Sequence, residues 1–188
     1  TIDQIREDGF KIDRSFDLEL FDDKAANVTH SMALALEGFS SSFQTLQPDI
    51  VVILGDRSEI LSAATAALIA NIPVAHIHGG ELSEGAIDDS IRHAVTKMSH
   101  LHFTAAEPYR KRVIQLGEQP DRVFMVGGMG IDNINKMKLL TSEELEQSIG
   151  FSFGKHNLLV TYHPETLDVN QAGEQVDALL QVLGSLTD

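Results

Sequence analysis

Five short apolar runs punctuate this 188-residue chain, and four of them give way to glycine or a polar cluster. The runs cover residues 49–54, 74–78, 101–104, 122–126 and 158–162. Each is too short for a buried helix, and residues 49–54 are continuous enough for a strand covered on both faces. Stretches with helical periodicity lie between them, over residues 59–70, 87–98 and 107–116. Asn71 and Pro73 stop the first of these, and Gly117 suits the C-terminal end of the third. Asp88 and Asp89 fall in the first turn of the second, where carboxylates meet the positive end of the helix dipole. Longer helical patterns cover residues 25–46 and 169–186, and shorter ones residues 131–139 and 142–149. Strands separated by helices predict βαβ units and a parallel sheet, an α/β fold. The opening Thr1-Ile2-Asp3-Gln4-Ile5 reads as the middle of a helix, so a piece of a longer protein is expected.

Charge and composition narrow the function. With 28 Asp and Glu against 14 Lys and Arg the net charge is −14, which opposes the phosphate neutralisation that nucleic-acid binding needs. The absence of cysteine excludes a disulfide scaffold, a thiolate zinc site and a cysteine nucleophile. The longest apolar stretch, residues 60–69, is broken by Ser62 and Thr65 and is far short of the roughly 20 residues a spanning helix requires. No basic segment precedes an apolar one at the start, so no signal peptide is expected and a cytoplasmic location is.

In parallel sheets ligands bind beyond the carboxyl ends of the strands. The chemistry-bearing residues of this chain cluster at those places. Gly55-Asp56-Arg57 follows the first run, and Asp56 is either a helix N-cap or an acid–base group, while Arg57 has Glu59 as an alternative partner. His76-Ile77-His78-Gly79-Gly80-Glu81 ends the second run. Strand spacing would put His76 and His78 on one face, which fits a metal site or a buried histidine beside a site histidine. Gly79-Gly80 permits close approach of backbone to a ligand. No GxGxxG follows a run and no P-loop is present, which argues against NAD and against ATPase chemistry. In Asp88-Asp89-Ser90-Ile91-Arg92-His93 the spacings pair Asp88 with Arg92 and Asp89 with His93, as surface ion pairs or as an acidic pair tuned by arginine. His163-Pro164-Glu165 follows the fifth run, where a histidine suits an anionic phosphate.

Taken together, Gly55-Asp56-Arg57-Ser58-Glu59, then His76 to Glu81, then Ile87-Asp88-Asp89-Ser90-Ile91-Arg92-His93-Ala94-Val95-Thr96-Lys97 resemble the UDP-N-acetylglucosamine 2-epimerase family, in its hydrolysing branch of sialic-acid and legionaminic-acid biosynthesis. The resemblance implies a GT-B arrangement of two Rossmann-like domains with the site in the cleft between them. Residues 1–152 would hold most of the N-terminal domain, and residues 153–188 the start of the nucleotide-binding C-terminal domain. The implied reaction removes the sugar C2 proton while UDP leaves C1, and water adds to the 2-acetamidoglucal. It implies no cofactor and no metal, a UDP-sugar partner, and a homo-oligomer. By resemblance Asp56 and Asp88 are catalytic candidates with Asp89 beside them. His78 stands where the family often has Glu, and Glu81 is a possible substitute. Arg57, Arg92, His93 and His163 are implied substrate contacts. Pro164, where the non-hydrolysing branch usually has arginine, favours the hydrolysing branch.

Alternatives remain open at this level. One is the same reaction on a UDP-2,4-diacetamido-trideoxy sugar. Another is a metal-dependent phosphohydrolase built on Asp56, His76 and His78. A third is a non-catalytic nucleotide-sugar binder.

Overall fold

A computed structural model of the chain describes residues 2–84, 86–163 and 172–186. The elements run α1 Ile2–Glu7, α2 Ala25–Leu46, β1 Val51–Leu54, α3 Ser58–Ile69, β2 Val74–Ile77, α4 Asp88–Met98, β3 Leu101–Thr104, α5 Glu107–Gln115, β4 Val123–Met125, α6 Met129–Lys136, α7 Ser142–Ile149 and α8 Ala172–Gly184. The four strands form one parallel sheet in sequence order, β1-β2-β3-β4, each crossover carrying a helix. The α/β class expected from the alternating runs is the observed one.

Two compact units emerge, residues 1–82 with 88–127 and residues 83–87 with 128–188. The first holds the sheet. Its core joins Ile53, Val74 and Val95 to Ala63, Ala64 and Ala67 of α3, with Phe39 and Phe43 of α2 and Ile60, Leu61, Ile91 and Met98 packed around them. Small alanines along α3 let α2 and the sheet approach it closely from two sides. Helix α3 ends in a Schellman motif: Asn71 is left-handed (φ 57), Ile72 N–H donates to Ala67 O at 2.9 Å and Asn71 N–H to Leu68 O at 3.1 Å.

Two differences concern the strands. Residues 49–54 read as a strand covered on both faces, but Val52 and Leu54 of β1 are 61% and 48% exposed. Strand β1 stands at one end of the sheet order, and the doubly buried strand is the interior β2. Residues 158–162 form no strand. No parallel neighbour pairs with them among the described residues, and an apolar run without a ladder partner has nothing to satisfy its backbone in sheet form.

In the second unit α6 starts and stops earlier than the 131–139 pattern suggested, and none of its residues is buried. A short helix is held by packing rather than by propensity, so no further turn forms. Helix α7 opens on a capping box between Thr141 and Glu144. The pattern over 169–186 yields α8 Ala172–Gly184, its first residues lying outside the described ones.

Candidate functional site

The carboxyl ends of β1 and β2 are adjacent and parallel, so the segments leaving them diverge over the same edge of the sheet. Gly55 (φ 82) turns the chain out of β1, and its N–H still donates to Ile77 O at 3.0 Å. Asp56 comes next. It is not an N-cap: that position belongs to Arg57, whose side chain caps nothing and instead donates to Glu59 at 2.6 Å.

Leaving β2, His78 adopts φ 66, a left-handed conformation uncommon for a residue with a Cβ. This breaks the two-residue alternation, so His76 and His78 do not share a face as strand spacing predicted. His76 is fully buried, with Nε2 2.8 Å from Gly55 O and Nδ1 3.3 Å from Thr96 Oγ1. A carbonyl only accepts, so His76 carries its proton on Nε2 and is engaged at both ring nitrogens. That removes it from any metal reading. His78 stays about one-quarter exposed, with Nδ1 2.6 Å from Glu81 Oε1.

Gly79 and Gly80 follow. At Gly80 (φ 80) an added Cβ would sit 2.4 Å from the Tyr109 carbonyl oxygen, and Arg112 donates to the Gly80 carbonyl. The glycine is thus required by contact with α5, which locks the loop that carries Glu81.

Arg92 ties the pieces together. It lies one turn into α4, is 6% exposed, and reaches back across the end of the sheet. One guanidinium nitrogen contacts Asp56 Oδ2 directly; the other donates to Glu81 Oε2 at 3.1 Å and to the His78 carbonyl at 3.3 Å. Burial pushes the Asp56 carboxyl above its ordinary value, with Asp88 and Glu81 adding repulsion and Arg92 pulling the other way. Asp89 and His93 form the i,i+4 pair that the spacing suggested, at 3.6 Å.

Of the sequence candidates, Asp56, His78, Glu81 and Arg92 therefore form one connected network. Asp88 couples to it electrostatically, Asp89 and His93 flank it on α4, and Arg57 faces Glu59. His163 is exposed in the second unit, and Pro164 and Glu165 lie outside the described residues. Thr96, Tyr109 and Arg112 were not singled out from sequence. No local pattern marks them, because their partners lie 20 or more residues away. Among the described residues no group of three or more His, Asp or Glu side chains is gathered to hold a metal ion.

The buried His76 ties this geometry to pH. Burial lowers its pKa from 6.5 to about 4, outweighing the favourable bond to Gly55. The unfolded chain binds this proton near 6.5 and the folded chain only near 4. Its contribution is therefore complete above 6.5, is lost as pH falls toward 4, and amounts to about 3 kcal/mol. His102, also lowered by burial, adds in the same direction. Urea unfolding from pH 7 to pH 5 should show stability falling by more than about 1 kcal/mol per unit at the acid end. A flat profile would mean that His76 is protonated inside the fold.

A sequence-family model described as UDP-N-acetylglucosamine 2-epimerase matches residues 1–188. The GDP/UDP-N,N'-diacetylbacillosamine 2-epimerase (hydrolyzing) of Campylobacter jejuni is 45% identical over 177 residues, which are 94% of this chain and 46% of that protein. The polysialic acid biosynthesis protein P7 of Escherichia coli is 43% identical over 183 residues, 97% of this chain and 46% of that one. The chain thus spans about half the length of these curated relatives. Among solved structures, the UDP-GlcNAc 2-epimerase of Neisseria meningitidis bound to UDP-GlcNAc has a similar fold, with a TM-score of 0.66 at 22% identity over 79% of this chain and 42% of that one.

Proposed function

The chain belongs to the UDP-N-acetylglucosamine 2-epimerase family, among relatives named as hydrolysing, and from that membership we propose that its whole protein eliminates UDP from a UDP-2-acetamido sugar and hydrates the product to the free 2-epimer. The observation that carries the reading is the Asp56–Arg92–Glu81–His78 network at the ends of β1 and β2. The C2 hydrogen of such a sugar has no neighbouring carbonyl to acidify it. Its removal must accompany departure of the diphosphate from C1, and that needs a positioned base and acid. Asp56, whose carboxyl is raised by burial, and Asp88 are assigned to proton transfer, with Asp89 beside them. Arg92 holds the carboxylates in place. Arg57, His93 and His163 are assigned to substrate contact, His163 toward the diphosphate.

The sugar is the finer question. The 45% identity to a diacetylbacillosamine enzyme supports a UDP-2,4-diacetamido-2,4,6-trideoxy sugar as substrate. UDP-N-acetylglucosamine, expected first from the resemblance, is the second reading. The metal-dependent phosphohydrolase falls away, since family membership and the doubly engaged His76 both oppose it. Residues 1–152 are assigned to the N-terminal domain and residues 153–188 to the start of the nucleotide-binding domain. A cytoplasmic, homo-oligomeric enzyme goes with this reading.

Proton NMR of the full-length protein in D2O with EDTA tests it on each UDP-sugar in turn. Expected is release of UDP together with a free 2-epimer carrying deuterium at C2. UDP bound without turnover of either sugar would establish the non-catalytic binder instead. Epimer retaining its C2 proton would end the elimination mechanism.

A further inference from the structure

We propose that His78 and Glu81 act as a dyad: Glu81 fixes the imidazole with its proton on Nδ1, and the lone pair on Nε2 accepts the sugar C2 proton. The inference deepens the elimination reading and rests on it for the reaction, though not for the tautomer.

Three observations carry it. His78 Nδ1 lies 2.6 Å from Glu81 Oε1, and a carboxylate can only accept, so the proton sits on Nδ1. The other Glu81 oxygen takes a bond from Arg92, which can only donate, so the Glu81 carboxylate is held between the two and cannot rotate away. Arg92 also donates to the His78 carbonyl at 3.3 Å, which anchors the left-handed residue at its backbone as well as its ring. A side-chain residue at φ 66 persists only where its surroundings over-determine it. Here they do so from three sides, since Arg112 holds the next loop carbonyl but one, at Gly80.

The position separates the two histidines by role. His76 is buried and committed at both nitrogens, whereas the His78 side chain is about one-quarter exposed at the strand end. Glu81 on its own loop and Arg92 from α4 bond to His78; Asp56 after β1 shares Arg92, Asp88 acts on Asp56, and His76 of β2 interacts electrostatically with His78.

In the step itself the C2–H bond breaks and the proton passes to Nε2. The freed electron pair becomes the C1=C2 double bond. The bond from C1 to the diphosphate oxygen breaks, and UDP leaves with that pair. The imidazolium is stabilised by Glu81 and returns its proton to solvent.

The test uses full-length protein labelled with 15N-histidine, with long-range proton–nitrogen spectra assigned through His78→Gln. Wild type should show His78 protonated on Nδ1 and bare on Nε2. In Glu81→Gln, Arg92 claims the amide carbonyl, so the amide NH2 faces Nδ1 and drives the proton to Nε2. The tautomer should flip and kcat should fall about 10³–10⁴-fold, as when the orienting carboxylate of a catalytic histidine becomes an amide, with KM nearly unchanged. His78→Gln should lose as much. A wild-type proton on Nε2 overturns the dyad, as does a Glu81→Gln protein that loses activity with its tautomer intact. The wild-type spectrum is informative even where the Glu81 variant fails to fold. Failure of both UDP-sugars to turn over would sink the elimination reading alone, because the tautomer is read without substrate.

Discussion

Arg92→Met should lower the unfolding free energy by about 3–5 kcal/mol at pH 7, the range expected when one partner of a buried ion pair is removed. The methionine nearly matches the stem in volume, so little of this loss is packing. It arises because Asp56 and Glu81 lose their shared counter-charge in a site that burial already makes costly for a carboxylate. The pH dependence identifies the cause. Without Arg92 the Asp56 carboxyl, already raised by burial, is pushed higher still, and a group of that kind is stabilising below its unfolded pKa and loses this as pH rises through the folded one. The deficit relative to wild type should therefore be smaller at pH 5 than at pH 7. Paired urea unfolding curves at the two values check this. A loss under about 1 kcal/mol, or one independent of pH, would mean that the two carboxylates do not depend on Arg92.

Asp56→Asn should show the opposite division between stability and activity. The amide keeps the shape and can still accept from Arg92, so folding should suffer far less than in Arg92→Met. UDP release should fall about 10²–10⁴-fold, the usual contribution of a positioned acid–base group. Burial, with Asp88 and Glu81, raises the wild-type carboxyl, so activity that requires it ionised declines as pH drops through that raised value. The acid limb belonging to Asp56 should be missing from the residual activity of the variant. UDP release assayed across pH would settle the role. Activity within tenfold of wild type would make Asp56 a structural partner of Arg92 only.

Much of this architecture was legible in the residues. Helix α2 occupies residues 25–46 as its periodicity requires, and the four sheet strands fall within the apolar runs that announced them, all but β3 followed by the glycine or polar cluster that ends a strand. These features are local: period, propensity and chain punctuation act within a few residues. The clustering of Asp56, His78 and Glu81 at strand ends was legible for the same reason, since parallel topology gathers those ends on one edge.

What sequence could not decide was pairing across distance. Residues 158–162 are as apolar as the true strands, but a strand exists only with a neighbour, and none is hydrogen-bonded to them among the described residues. The i,i+4 rule matched Asp89 to His93, whereas Arg92 reaches Asp56 across 36 residues of chain. Spacing alone put His76 and His78 on one face, open either to a metal site or to a buried histidine beside a site histidine. A single left-handed residue, held by Glu81 of its own loop and by Arg92 from α4, accompanies the burial of one and leaves the other at the edge of the site. Composition and period determined which segments would be strands and helices. Only the tertiary structure decided which charges meet, because that energy depends on distances the chain sets when the sheet closes.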